Sequence, residues 1–380
     1  MTEETFVREL ERRADHVHGA PLSFDDVRGT AHRIRRRRRA ATAAVAAAAV
    51  ALVVVVPTLL VGGHEKRGLE PAPSPVSPGA SVLHDGVVTL SGGGSVPVDL
   101  DNEDVVQLGV LTDGRIVVAT QRPYAVSVYA ADGSLDRRYP VETNTFTMSA
   151  ADDAVAWVAD DFTVRVLTSG QPEPTTLPGI PMPGEAAGSI DAVLDPEHLL
   201  VGDHTTTTDE LTPDGTRDLG LRDLPLDEQF RVVDVSPDGK LWAVSFLPGE
   251  NDQYGCSGLY DPEARLVVAR SCDVHATRFA PDGEHLLSAV YENNMTGDET
   301  VVDLHLEPVF TSRLTGSVVS RVGWADADHL LVAMADLDGQ DWQLVRERAV
   351  PPLGDGDPEV LDGPAPGGNP ETTAEYVLSE

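Results

Sequence analysis

The sequence predicts an all-β ring, a β-propeller, preceded by a short helical tail and one transmembrane helix. Three observations carry that expectation. A turn of the Pro-Asp-Gly kind, set between two short β-type runs, recurs along the chain from about residue 82. No long amphipathic helix interrupts the recurrence. An uncharged apolar stretch at residues 40–61 directly follows five consecutive arginines at 35–39.

The N-terminal 39 residues form a basic tail with a helical pattern. Phe6, Leu10, Ala14 and Val17 fall on one helical stripe after Thr2 as a cap. Beyond Gly19, Ala20 and Pro21, Ser23 and Asp26 make a capping-box-like start for a second helix through Val27, Ala31 and Ile34.

Residues 40–61 follow. At about 1.5 Å of rise per residue a helix over them is roughly 33 Å long, enough to cross a hydrocarbon core of about 30 Å. The arginine run lies on one side and only Lys66 and Arg67 on the other, so the positive-inside rule puts residue 1 in the cytoplasm and the bulk of the chain outside. The length of the apolar core and of the charged segment ahead of it predicts an uncleaved signal anchor at the plasma membrane rather than a removable leader. Residues 62–81 read as a linker, Pro-rich from Glu70 to Gly79, that holds the next domain off the bilayer.

Charge divides the chain at the same place. Residues 1–67 hold 12 of the 28 basic and 8 of the 62 acidic residues, which leaves 16 basic against 54 acidic beyond them, a net charge of −38. A surface with that field repels nucleic acid, so DNA and RNA are not expected as partners. Only Lys66 and Lys240 are lysines, a usage that points to a GC-rich coding genome of the actinobacterial kind.

The clearest repeats are residues 233–245 (VDVSPDGKLWAVS) and 277–289 (TRFAPDGEHLLSA), each a strand, a tight turn and a second strand. Their turn residues are Pro237, Asp238 and Gly239 in one and Pro281, Asp282 and Gly283 in the other; proline presets the first corner and glycine supplies a positive φ. A weaker copy turns at Asp113 and Gly114, and others run at 151–157, 194–201 and 324–332. The anchoring aspartates, Asp113, Asp152, Asp195, Asp238, Asp282 and Asp326, are separated by 39, 43, 43, 44 and 44 residues. A period near 40–45 built from short strands is that of a propeller blade.

The Ser-Pro-Asp-Gly-Lys and Ala-Pro-Asp-Gly-Glu copies resemble the WD40-like repeats of TolB-type β-propellers, which implies a propeller over residues 82–350 and a role as a binding platform. Six turns predict six blades. On that count the runs at 86–90 and 95–100 supply outer strands that close the last blade; as a blade of their own they raise the count to seven. Residues 351–380, with Asp355, Asp357, Glu359 and Asp362 among glycine and proline, read as an acidic flexible tail.

Cys256 and Cys272 flank two β-type runs joined by a turn at 261–264, so folding that hairpin brings them together as a disulfide, in keeping with an oxidising exterior. His198, His285 and His329 each follow a repeat aspartate by three residues, yet ligands one blade apart are too distant to share a metal. Residues 336–342 lack the twelve-residue calcium-loop pattern and read as a turn within the last blade. No catalytic, cofactor-binding or metal-binding residue is assigned: there is no Gly-x-Ser-x-Gly elbow, no His-Glu-x-x-His motif and no Gly-rich phosphate loop.

The expectation for function is a membrane-tethered extracytoplasmic module that binds an exported protein or a cell-envelope ligand. The two helices before the span resemble the tail of membrane-tethered anti-sigma regulators, without the zinc-binding His/Cys motif common there. That resemblance implies the alternative of a signal transducer with a cytoplasmic partner for residues 1–39. A funnel-site hydrolase or lyase is the other alternative.

Overall fold

The second strands of the repeats are apolar on both faces, and the reason lies in the packing. In the strand Ile116–Gln121, Ile116 and Val118 enter one hydrophobic cluster while Val117 and Ala119 enter the next. Trp242 and Val244 face one way and Ala243 the other, and Leu330 and Val332 alternate with Leu331 and Ala333 in the same manner. A strand buried by a neighbouring sheet on each face needs a continuous apolar run rather than a half-polar alternation.

The structure, a computed structural model, describes residues 79–379 apart from 101–103, 181–187, 203–207, 225–227, 247–254, 290–298, 313–316, 337–340, 351–357 and 367–375. Among the described residues no helix is long and apolar enough to cross a membrane. The tail at 1–39, the span at 40–61 and the linker to residue 78 lie outside the described residues.

Seven antiparallel four-stranded sheets make up the ring. Blade 1 holds Val82–His84, Val87–Thr89 and Ser95–Pro97, completed by Val377–Leu378 from the far end of the chain. Blade 2 runs from Val105 to Pro140, blade 3 from Thr147 to Gly179, blade 4 from Ser189 to Arg217, blade 5 from Phe230 to Ser271, blade 6 from Ala276 to Thr311 and blade 7 from Ser317 to Pro366. Seven hydrophobic clusters fill the seven gaps between adjacent blades, with Leu83, Leu108 and Val377 between blades 1 and 2 and Trp342, Tyr376 and Leu378 between blades 7 and 1. Burying both faces of every blade in this way is the main apolar driving force for closing the ring.

The blade count therefore corrects the expected six. Six repeat turns imply six blades only if every blade has one, but in blade 1 the first and second strands come from opposite ends of the chain: Leu83 pairs with Val377, and Val82 with Leu378. No turn joins them, so a ring with six such turns has seven blades. The runs at 86–90 and 95–100 do not close the last blade; they form blade 1. The acidic tail is corrected too. Glu359–Pro366 is the outer strand of blade 7, paired along Asp341–Arg348, and Tyr376 and Val377 are fully buried. Alternating acidic residues hid a strand whose outward edge is solvated. At the other end, Ala80 and Ser81 are buried and the Ala80 amide donates to the Trp324 carbonyl, so the ring begins at Gly79 rather than Val82.

The disulfide Cys256–Cys272 is present. It closes the open end of the hairpin between Ser257–Asp261 and Leu266–Ser271, where Ser257 stands opposite Ser271. At the other end Asp261 Oδ1 accepts the amides of Glu263 and Ala264, at 2.9 and 2.8 Å.

Candidate functional site

The turns between first and second strands share one end of the ring. In blade 5 the Gly239 amide donates to the Ser236 carbonyl at 2.7 Å, in blade 6 that of Gly283 to Ala280 at 2.9 Å, and in blade 2 that of Gly114 to Leu111 at 2.8 Å. These glycines have φ of +72, +69 and +85°, where a side chain is disfavoured. The aspartate before each caps the turn: Asp238 Oδ1 accepts the Lys240 amide, Asp282 Oδ1 that of Glu284 and Asp113 Oδ1 that of Arg115. Pro237 and Pro281 precede them at the first corner. Asp113 and Arg115 also latch blade 2 to blade 3, with Arg115 donating to the Thr168 and Gln171 carbonyls and Gly170 donating to Asp113. Burial pulls the Asp113 carboxyl upward, but the Arg115 guanidinium bonded to it and the amides of Gly170 and Arg115 outweigh it and hold the pKa below the usual value.

Each of the three repeated histidines pairs with the aspartate of its own turn. His198 Nδ1 lies 2.9 Å from Asp195 Oδ2, His285 Nδ1 2.8 Å from Asp282 Oδ2 and His329 Nδ1 2.8 Å from Asp326 Oδ1. Each therefore closes its own turn instead of simply facing solvent, and among the described residues no group of His, Cys, Asp and Glu is placed to hold a metal. Residues 337–340 of the turn expected within the last blade lie outside the described residues; the strands His329–Asp336 and Asp341–Arg348 flank them, as a turn there requires.

Blade 3 breaks the repeat. The Asp152 amide donates to the Ser149 carbonyl at 2.9 Å with φ +54°, so Asp152 occupies the position that glycine holds in blades 2, 5 and 6. It is not the equivalent of Asp238; Ala151 is. Aspartate tolerates this left-handed conformation better than most residues. The shift makes Asp152 part of a cavity of about 440 Å³ on the ring axis, at the end where these turns lie.

All seven blades line that cavity. Asp191 and Asp234 come from the first strands of blades 4 and 5, Arg278 from that of blade 6, Trp324 from blade 7, Ser379 from beside the closing strand and Thr112 from blade 2. Burial pushes the Asp152 carboxyl up to about 7, against the pull of Arg278 and with the push of Asp153. Asp191 accepts from Ser189 and Thr208, and Asp234 Oδ2 accepts the Phe279 amide at 2.6 Å. A carboxyl that titrates near neutrality can hold a charged group or move a proton. Among the described residues the lining has no histidine, cysteine or lysine. A second cavity, of about 610 Å³, lies in the seam between blades 7 and 1, where Asp326 pairs with Arg346, and His84 with Asp362 at 3.1 Å. Each charged group of its lining already has a partner within the seam, and it draws on two blades only, so the axial cavity is the stronger candidate.

The sequence reading missed the axial residues, though a signal exists. Asp191, Asp234 and Arg278 each lie four residues before a repeat aspartate, at Asp195, Asp238 and Asp282. Charge at one fixed register of an otherwise apolar first strand marks a side facing the axis rather than a neighbouring sheet.

Seven four-stranded antiparallel sheets closed on themselves by a terminal strand define a β-propeller, a fold used typically as a protein-interaction module. No protein-family model matches the chain, and no curated protein matches it. Among solved structures it is similar to the β-propeller domain of Cps50 (Swd1) from Myceliophteria thermophila, with 8% identity over 70% of this chain and 89% of that one and a TM-score of 0.45. The propeller assignment rests on the seven sheets and their closure.

Proposed function

We propose that this chain is a membrane-tethered, extracytoplasmic β-propeller of the TolB-like kind that acts as a binding module. It engages an exported protein or an envelope ligand through the turn end of the ring and the axial cavity there. The observation that carries this reading is the axial cavity itself, which draws residues from every blade. Gly79, the first described residue, also lines it. The arginine run and the apolar stretch support the tether and its orientation. The charge of −38 beyond residue 67 argues for a partner that is neither nucleic acid nor an anionic bilayer surface.

A second reading, a transducer acting through residues 1–39 on a cytoplasmic factor, is favoured by the two helical patterns in that tail. Cross-linking in native membranes followed by mass spectrometry separates them. An exported partner joined to residues 79–379 supports the binding module. Partners joined only to residues 1–39 establish the transducer instead. Turnover of a glycan or peptide that a single Asp152 substitution abolishes makes the cavity an active site.

A further inference from the structure

The axial cavity is unevenly charged. Blades 3, 4 and 5 contribute Asp152, Asp191 and Asp234, on consecutive blades, and blade 6 contributes Arg278. The rest of the circuit, through blades 7, 1 and 2, has no charged lining residue among the described residues, and Trp324 is its largest side chain. Carboxyls thus outnumber the guanidinium three to one and occupy one continuous arc.

Two of the three carboxyls are anchored by the fold. Asp234 ties blade 5 to the Phe279 amide of blade 6, and Asp191 takes hydroxyls from Ser189 and Thr208, the latter also accepting the Val232 amide at 2.8 Å. Asp152 is different. Its backbone is fixed, the amide on Ser149 and the carbonyl accepting the Thr112 amide at 2.9 Å, yet among the described residues its carboxyl accepts no hydrogen bond. It is half-buried in the cavity wall, held in place and available.

We propose that the axial cavity is a site for an organic cation, a primary amine or guanidinium on a small apolar body. The inference rests on the reading of the propeller as a binding module. The cationic head meets the arc of Asp152, Asp191 and Asp234, and the body lies against the uncharged side with Trp324. Away from bulk water an ion pair at contact distance is worth several times its value in solvent, which favours a cation here and disfavours an anion. A volume of about 440 Å³ falls in the range of small-molecule sites. Arg278 lies close enough to Asp152 to bias its titration and so competes with the ligand for that carboxyl. A proton on Asp152 removes one charge from the arc, so binding weakens as pH falls through neutrality. The other charged groups facing Asp152 are Arg278, which favours its ionised form, and Asp153, which opposes it.

The test is calorimetric titration of the full chain in nanodiscs with two cations, n-butylguanidinium and n-butylammonium, each beside an uncharged or anionic counterpart of similar size, n-butylurea and butyrate. Both cations should bind at pH 8, the urea and the carboxylate at least tenfold more weakly. Asp152→Asn, which keeps a residue tolerant of positive φ, should weaken the cations about tenfold and abolish their pH dependence between 6 and 8. Arg278→Gln should strengthen them a few-fold, an opposite change that loss of folding cannot mimic. If butyrate or butylurea binds as well as the cations, or if both variants bind like the parent, the cation inference is wrong while the cavity remains a binding site. If no probe binds although cross-linking recovers a partner on the ring, the inference fails and the module reading stands.

Discussion

Gln107 and Phe146 exchange two hydrogen bonds across the gap between blades 2 and 3. The Gln107 Nε2 donates to the Phe146 carbonyl and the Phe146 amide donates back to Oε1, both at 2.9 Å, so a buried side chain stands in for a strand. The need is general in this fold. First strands of neighbouring blades adjoin without forming a full ladder, and their free backbone groups require partners. Thr147 donates to the Ile190 carbonyl at 2.7 Å, Asp234 accepts the Phe279 amide, and Arg321 of blade 7 reaches past the short closing strand of blade 1 to the Val106 carbonyl of blade 2 at 2.9 Å. Side chains stitch the inner ring where strand pairing cannot.

Replacing Gln107 by leucine keeps most of the volume but strands an amide and a carbonyl in an apolar gap. The expected loss is about 2–6 kcal/mol, at roughly 1–3 kcal/mol for each unsatisfied group. Urea denaturation of the parent and Gln107→Leu checks it, and a loss under about 0.5 kcal/mol would mean water replaces the clamp.

Asp152 makes stability depend on pH with a defined sign. Its folded pKa is raised to about 7 from 3.8, so the folded state holds the proton more tightly than the unfolded chain does. The stability tied to that proton is complete below the unfolded value and is lost as pH rises through 7. Asp152→Asn should therefore stabilise the protein at pH 8, by about 1–2 kcal/mol after allowing for solvent screening of a half-buried group, and change little at pH 4. Thermal melts at the two pH values decide it; an equal effect at both would show that the carboxyl is not desolvated.

The turns were legible because their chemistry is local. Pro237-Asp238-Gly239 and Pro281-Asp282-Gly283 specify a corner within three residues, and the cysteine pair needs only the hairpin between them. The seventh blade was not legible, because its first two strands meet through Leu83 and Val377, at opposite ends of the chain, with no turn to announce them. The axial site fell between these cases. Asp191, Asp234 and Arg278 share a register that only acquires meaning once the strands are known to line an axis. Asp152 looked like one more repeat aspartate, when it stands one place later, where glycine belongs.

Closure by Tyr376, Val377 and Leu378 makes the C-terminal segment a structural part. Tyr376 is fully buried beside Trp342 and Leu344 in the cluster between blades 7 and 1. Tyr376→Ala should cost about 3–5 kcal/mol, as for other buried aromatic truncations, and removing residues 376–380 should abolish a single cooperative melt. A change near zero would mean that this segment lies free of the ring.

The disulfide should be detectable chemically and energetically. Thiol titration of the unfolded, unreduced protein should find no reactive thiol. The Cys256→Ala, Cys272→Ala double variant should lose on the order of 3 kcal/mol, the entropy of closing a loop with a sequence separation of 16. Two reactive thiols would refute the bond.

An exported ring on an inside-anchored tail is tested most directly by protease added to intact spheroplasts expressing the full chain with an epitope at residue 1. The proposed topology predicts digestion of the exported portion beyond the span, under conditions that open the folded ring, together with a protected N-terminal fragment of the tail and span that keeps its epitope. A full-length chain protected until the membrane is ruptured, with the same protease digesting it afterwards, would contradict the proposed topology.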